Sequence, residues 1–177
     1  MQIRFLVAAA AAFSGFLMGP SARAQAVWIG NNTTYFDATN WQGGVLPAND
    51  GSATLDLSYP IGIDVIYISQ NVNVLGIQFT GSGQSNYQLN QNFGTGATLT
   101  IGTGGVSVQS GLNPTEAFGI PVILSGNQTW DGTGGYVVAY DNVGEVGGPR
   151  TLSTMGSVYL LGGSTFTGGV NIETGNL

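Results

Sequence analysis

Residues Leu161 to Leu177 have the sequence LGGSTFTGGVNIETGNL. Phe166 is suited to a hydrophobic core, and the two glycines that follow, Gly168 and Gly169, can adopt the positive φ of a tight corner. Val170 to Ile172 then alternates apolar and polar residues, so its two apolar side chains point to one side of a short strand. An aromatic residue, a corner and a strand in this order predict one coil of a β-solenoid, which is the last coil of the chain, residues 161–177.

This segment resembles the autotransporter-associated β-strand repeat of bacterial secreted and surface proteins, which typically runs Leu-Ser-Gly-x-Asn-Thr-Tyr-Thr-Gly-Gly-Thr-Thr-Ile-x-x-Gly-Thr-Leu. The matching positions are Thr165-Phe166-Thr167-Gly168-Gly169, Ile172, Gly175 and Leu177. Ser164 replaces the usual Asn and Asn176 replaces the usual Thr. One close copy covers about a tenth of the chain. The resemblance implies a right-handed parallel β-helix that forms the passenger region of a longer protein, so we expect further repeats beyond Leu177.

Residues 1–24 are predicted to be a signal peptide. Arg4 gives a short basic head, Phe5 to Met18 is an apolar run, and Ala22-Arg23-Ala24 supplies a small-x-small cleavage site. The mature chain then begins at Gln25, or at Val27 if cleavage follows the similar triplet that ends two residues later. A membrane anchor is the alternative, but the run is shorter than the ~20 residues that span a bilayer. The sequence therefore predicts export to the cell surface or the medium, with no membrane span elsewhere.

Without the leader, the chain keeps Arg150 as its only basic residue against nine carboxylates, and it contains no Lys, His or Cys. Such a surface repels phosphate, so nucleic acid and anionic lipid are excluded as expected partners. The absence of His and Cys also excludes Ser-His and Cys-His nucleophiles, disulfides and thiolate metal sites. We expect no cofactor and no metal.

The composition predicts an all-β protein, because 30 of the 177 residues are Gly, 42% are apolar and only 7% are charged. Short runs alternate apolar with polar residues and end in glycine-containing turns, which is typical of many short strands. The residues predicted to form the core are Leu75, Ile77, Phe79, Leu99, Ile101, Val122, Leu124, Leu160, Phe166 and Ile172.

Successive runs begin roughly 7 to 16 residues apart, a spacing that suits either a parallel β-helix or a β-sandwich. The uneven spacing fits a jelly-roll or immunoglobulin-like sandwich better, whereas the repeat resemblance favours the β-helix. We predict a β-helix over residues 61–177, preceded by an N-terminal cap at residues 25–60. Trp28, Trp41 and the glycine-rich turn after them suit a cap, and they resemble the opening of repeat-family precursors.

The candidate catalytic residues are Asp131, Asp141, Glu145 and Arg150, which lie within twenty residues of one another. Two carboxylates near an arginine could act as acid and base on a glycan, or bind calcium beside an arginine base. The simpler interpretation is that the aspartates form turns and that the arginine makes a surface ion pair. We expect no catalytic, cofactor-binding or metal-binding residue in this chain.

Three functional hypotheses follow: a non-enzymatic extracellular or cell-surface stalk used in adhesion or display, a secreted β-helix that binds or cleaves polysaccharide, and a structural component of the envelope. The first explains the leader, the repeat and the lack of catalytic residues together. The second is supported by Tyr136 and Tyr140, which could equally pack across strands. Host or matrix glycans or proteins are the expected partners. The Asn-x-Thr triplets that begin at Asn31, Asn32 and Asn127 are attributed to chance.

Overall fold

The structure is a computed structural model that describes residues 25–30, 32–58, 65–81, 86–109 and 114–176. It is an all-β, parallel β-helix of about four turns, which confirms the predicted fold and excludes the sandwich. The handedness of the coil stays a prediction. The predicted signal peptide, residues 1–24, lies outside the described residues, as does the predicted boundary between cap and helix at residue 60.

Twelve strands and two short 3₁₀ turns make up the regular structure of the described residues. The strands are β1 (Gln25–Val27), β2 (Thr54–Leu57), β3 (Val65–Ile68), β4 (Val72–Phe79), β5 (Gln88–Gln91), β6 (Leu99–Val108), β7 (Thr115–Gly119), β8 (Val122–Leu124), β9 (Gln128–Ala139), β10 (Val143–Glu145), β11 (Leu152–Leu160) and β12 (Val170–Ile172). The 3₁₀ turns are Ala38–Asn40 and Gln42–Gly44, and both lie between β1 and β2.

The strands form three parallel sheets, because β4, β6, β9 and β11 each bend at a corner and contribute to two of them. The first sheet contains β1, β2, the second halves of β4 and β6, the first halves of β9 and β11, and β12. The second sheet contains the first halves of β4 and β6, then β8 and β10. The third sheet contains β3, β5, β7 and the second halves of β9 and β11.

One core runs through the solenoid, because inward side chains fall on the same rung in successive coils. In the third sheet the inward row is Ile66, Leu89, Phe118, Ala139 and Leu160. Aromatic rings also pack within this core, where the ring centroids of Phe118 and Trp130 are 5.6 Å apart. Since each coil packs against no coils but the adjacent ones, neighbouring coils stabilise one another.

The coils differ in length although the rungs stay in register. Partners on adjacent rungs are 29 residues apart for Ile77 and Val106 but only 18 apart for Thr154 and Ile172. Loops at the corners absorb the difference, because a longer connection leaves the backbone pairing of the strands unchanged. The uneven spacing that favoured a sandwich in the sequence is therefore a property of these loops.

Two residues predicted to lie in the core do not. Leu75 is only partly buried, because the pairing of β4 with β6 shifts register between Val74 and Gly76 and so reverses the alternation there. Ile172 is 51% exposed, because β12 pairs only with β11 in the described part of the chain and no further rung covers it. Leu160 and Phe166 are partly buried against the core, and the other six predicted residues are buried.

The irregular segment between β1 and β2 closes around two tryptophans. Trp28 and Trp41 are buried with their ring centroids 5.0 Å apart in an edge-to-face arrangement. The Trp41 Nε1 donates to the carbonyl of Tyr35 at 2.9 Å, and the side chain of buried Asn40 bonds to Asn32 and to the Thr34 carbonyl. These bonds satisfy backbone groups that strand pairing leaves free. That this segment serves as a cap stays a prediction.

The corner predicted at Gly168 and Gly169 is present, and the two glycines are needed for different reasons. Gly169 has φ of +84°, and a Cβ there would meet no atom within 4 Å. At Gly168 a Cβ would lie 2.3 Å from the carbonyl carbon of Arg150, so the previous coil leaves no room for a side chain. Backbone strain alone therefore selects glycine at the second position, and steric contact selects it at the first.

We expect Gly169→Val to reduce the free energy of unfolding by about 1–3 kcal/mol, because a β-branched residue is strained at positive φ. Thermal unfolding followed by circular dichroism measures the change. Asn171→Val is the matched control, since it adds the same side chain at an exposed strand position where such residues are favoured. A melting temperature for Gly169→Val equal to that of the control would show that this corner is not under strain.

Candidate functional site

Asp131 lies on the outer side of the first sheet, between Ser107 and Met155 of the adjacent coils. Its Oδ1 accepts hydrogen bonds from the Thr133 amide at 2.9 Å and the Thr133 hydroxyl at 2.6 Å. This is an Asx turn that leads the chain around the corner from the first sheet to the third. The geometry supports the structural interpretation of Asp131.

Glu145 lies at the end of β10 and joins two coils. Its Oε1 accepts from the amide and the hydroxyl of Thr167, at 2.9 Å and 2.6 Å, and its Oε2 accepts from the Arg150 amide at 2.5 Å. The Thr167 hydroxyl bond is the main reason why the pKa of Glu145 is lowered, with smaller contributions from the two amides and the Arg150 charge. Thr167 belongs to the repeat-like segment, so this carboxylate ties the last coil to the coil before it.

The Arg150 side chain does not pair directly with Glu145. Its Nε donates to the Val146 carbonyl at 3.1 Å and its Nη2 to the Gly147 carbonyl at 3.0 Å, so the guanidinium closes the loop after β10. The predicted surface ion pair is replaced by hydrogen bonds to carbonyl groups, although the two residues are close. Of the four candidate residues, the structure's hydrogen bonds link only these two.

Asp141 lies at the corner between the third and second sheets, where its Oδ1 accepts from the Asn142 amide at 2.7 Å. No hydrogen bond joins it to Asp131 or Glu145 in the described residues, and these residues hold no cluster of three metal-ligating side chains. The arrangement of acid, base and arginine that the sequence suggested is therefore not assembled in the described structure.

We expect Glu145→Gln to lower the melting temperature at neutral pH and to accelerate hydrogen exchange at the Thr167 amide. Because folding lowers the Glu145 pKa, the charged form contributes stability above the ordinary glutamate pKa of about 4.3, and this is lost as the pH falls through the folded-state pKa. The difference from the parent should therefore vanish in acid.

Glu173→Gln is the control for this experiment, since Glu173 is exposed in the same coil and the substitution removes the same charge. A difference between Glu145→Gln and the parent that is as large at pH 3 as at pH 7 would contradict the role of the Glu145 charge. Equal effects of the two substitutions would contradict the specific bond to Thr167.

Two of the three asparagines that begin Asn-x-Thr triplets, Asn32 and Asn127, make side-chain hydrogen bonds within the fold. Asn127 Oδ1 accepts from the Thr151 amide of the next coil at 3.0 Å. Asn32 Oδ1 accepts from the Thr34 amide at 2.8 Å and from the Asn40 side chain. Asn31 lies outside the described residues. Asn127 and Thr151 lie just before β9 and β11, outside the paired strands, so this bond joins two coils where the strand ladder is interrupted. The sequence did not indicate this structural role.

A polar groove of about 590 Å³ opens at the corner between the second and first sheets. It is lined by Thr103, Gly104, Asn127, Gln128, Thr129, Thr151 and Ser153. Glycine is required at one lining position, because a Cβ on Gly104 would lie 2.7 Å from the Leu75 carbonyl oxygen of the preceding coil. Its lining supplies hydroxyl and amide groups but no ionisable side chain, so it can bind polar molecules and offers no acid or base.

Glu116 is a buried carboxyl group that was not among the candidate residues predicted from the sequence. It is 2% exposed on β7, faces inward beside Val137, and accepts from the Tyr87 amide at 2.8 Å. Burial raises its pKa to about 8, and the Tyr87 bond opposes that rise only partly. A signal was present, because Glu116 is two residues before core residue Phe118 and so shares its face of the strand.

We expect Glu116 to make the folded protein less stable as the pH rises. The folded-state pKa of about 8 lies above the unfolded value of about 4.3, so the fold favours the neutral carboxyl group. Its stabilising effect is complete below the unfolded pKa, declines between the two values and levels off above the folded one.

Melting temperatures recorded from pH 5 to pH 9 test this prediction. Glu116→Gln should flatten the decline, because the amide stays neutral and can still accept from Tyr87. Glu173→Gln should leave the decline unchanged, because Glu173 is exposed. A parent and a Glu116→Gln variant with parallel profiles would contradict the prediction.

Tyr136 and Tyr140 both lie on the outer side of the third sheet, 37% and 53% exposed. Tyr136 stacks on Tyr159 of the next coil, with ring centroids 6.2 Å apart and planes 25° apart. The cross-strand packing considered in the sequence analysis is therefore present for Tyr136. Tyr140 makes no ring contact with another aromatic residue of the described part.

Comparison with protein-family models, with curated proteins and with solved structures finds no significant match to this chain. The resemblance of the last coil to the autotransporter-associated repeat thus stays a prediction. In the part of the chain that the structure describes, neither of the 3₁₀ turns nor any other helix has the length and apolarity to cross a bilayer.

Proposed function

We propose that this protein is a non-enzymatic, extracellular or cell-surface β-helical stalk that serves adhesion or structural display in a bacterium. The observation that carries the proposal is the stack of in-register parallel strands around one core. Each added coil extends such a stack by about 4.8 Å without changing its cross-section. A solenoid of this kind is suited to holding surface residues at a fixed distance and orientation.

The positions of the carboxylates support a role without catalysis. Asp131 and Glu145 use their oxygen atoms to bind amide and hydroxyl groups of turns and neighbouring coils. These bonds give both carboxylates a structural role in turns and between coils, which explains their presence without catalysis. The polar groove has no ionisable side chain in its lining, and the sequence contains neither His nor Cys.

Export and surface location are supported by the sequence. Residues 1–24 have the basic head, apolar run and small-residue cleavage site of a signal peptide. The repeat-like segment at residues 161–177 adds the expectation of a passenger region. The composition is compatible with an extracellular location. The chain contains no Lys and no Cys, so it has no thiol that must stay reduced, and its negative net charge favours solubility.

The proposal is tested by labelling intact cells of the native host with antibodies raised against residues 25–177. We expect labelling without permeabilisation, loss of the epitope on mild external proteolysis, and a mature N-terminus at Gln25 or Val27. A cytoplasmic enzyme that stays unlabelled is the control. Retention of Met1 with labelling only after permeabilisation would contradict surface display, and release of reducing ends from polysaccharide by the purified protein would contradict the non-enzymatic role.

A further inference from the structure

We propose that the outer side of the third sheet binds a neutral polysaccharide chain through a tyrosine face, defined as Tyr67, Tyr136, Tyr140 and Tyr159. The inference rests on the proposed function only in requiring that an external polymer can reach this surface. The chain has seven tyrosines, and four of them lie on this one side of one sheet.

The register of the coils aligns these residues in rows. Tyr67, Asn90 and Gly119 occupy consecutive rungs of β3, β5 and β7. Tyr140 continues the row on the next coil, where its amide donates to the Phe118 carbonyl at 3.0 Å. With strands about 4.8 Å apart, the backbones of Tyr67 and Tyr140 are roughly 14 Å apart along the axis.

The row combines exposed rings at its ends with polar groups between them. Tyr67 is 42% exposed and Tyr140 is 53% exposed. Between them the Asn90 side chain lies across Gly119, where a Cβ would be 2.2 Å from its Oδ1. Sugar rings present apolar C–H faces that pack on aromatic rings and a rim of hydroxyl groups that bond to amides, so rings separated by an amide match a sugar chain.

A second pair of tyrosines lies at the Tyr140 end of this surface, on β9 and β11. Tyr136 and Tyr159 stack on each other across adjacent coils. Val138 is on the same strand as Tyr136 and pairs with Tyr159 on the next coil. Stacking restricts both rings, so the pair loses less side-chain entropy on binding than two separate tyrosines would. A linear ligand that follows the Tyr67–Tyr140 row would reach this pair at the Tyr140 end.

Charge favours a neutral ligand over an anionic one. None of the outward-facing residues on the paired rungs of this sheet is charged in the described part of the chain, and Glu116 on β7 faces inward. The chain carries a net charge of −6, and Arg150 lies at another corner with its guanidinium bonded to carbonyl groups. A uronate polymer would therefore be repelled without a compensating ion pair, whereas a neutral glycan would not.

Affinity gel electrophoresis of the purified protein tests the inference, because none of the variants changes the charge. The probes are hydroxyethylcellulose, mixed-linkage β-glucan and arabinoxylan, with polygalacturonate as the anionic comparison. We expect at least one neutral polymer to retard the parent. Tyr67→Ala combined with Tyr140→Ala should weaken binding about tenfold, through the loss of two stacking contacts.

Two controls separate ring contacts from general effects. Tyr67→Phe with Tyr140→Phe keeps both rings and should retain most of the binding. Val146→Ala removes apolar surface from a residue that is 52% exposed on the loop after β10, at another corner, and should bind like the parent. Circular dichroism melting checks that each variant folds, and the single alanine variants replace the double one if it does not.

Several outcomes would overturn the inference. These are no retardation by any neutral polymer, undiminished retardation of the alanine variants, or equal retardation by polygalacturonate. A dimer in analytical ultracentrifugation that the double alanine variant abolishes would assign the tyrosine face to a second copy of the chain instead. Since all measurements use purified protein, they are independent of the cell-labelling result, and the display role and the glycan face can fail separately.

Discussion

Main-chain hydrogen bonds between coils are the constraint on which the rest of the structure depends. Parallel strands cannot satisfy these bonds within one coil, so every rung needs a partner on the next coil in exact register. Bonds such as that from the Leu99 amide to the Pro121 carbonyl, at 2.9 Å, continue this pairing beyond the strand ends. A coil can therefore lengthen only at its corners, where the backbone leaves the sheet.

The same constraint explains the corners. Successive coils approach so closely there that side chains do not fit: a Cβ on Gly132 would lie 2.3 Å from the Ser157 carbonyl oxygen, and one on Gly175 would lie 2.0 Å from that of Gly156. Where strand pairing pauses, polar side chains take over the backbone bonds. Asn127 binds the Thr151 amide and Glu145 binds the Thr167 amide, so residues that suggested chemistry in the sequence maintain register between coils.

How much the sequence could predict depends on whether a feature is local to a strand. Alternation found Ile77 and Phe79 in the core because the period of two is a property of the backbone within one strand. It failed at Leu75 because the bulge is set by the neighbouring coil, where Gly104 approaches Gly76. Glu116 could have been found from the same alternation, but its burial conflicts with the usual exposure of charged residues.

Features that join different coils could not be predicted, since they depend on the register of coils of unequal length. Glu145 and Thr167 are 22 residues apart, and no periodicity in the sequence relates them. The row that contains Tyr67 and Tyr140 is hidden for the same reason, because the two residues are three coils apart and the intervening coils have different loops. Single aromatic residues are visible in the sequence, whereas a face is visible only in three dimensions.

A division between inner and outer rows follows from this architecture and bears on function. Most inward positions hold apolar residues, because each contacts the rungs on both sides, and Glu116 is an exception among the described residues. Outward positions such as Tyr67 and Asn90 lie on the same rungs but contribute little to the core, so they can change without loss of the fold. Stacking across coils accounts for the Tyr136–Tyr159 pair, because aromatic pairs on neighbouring strands stabilise a sheet. Tyr67 and Tyr140 make no ring contact with an aromatic residue of the described part, so packing of this kind does not explain their place in one row. Recognition of a flat, extended and uncharged ligand would explain it, with the register of the coils setting the spacing of the contacts.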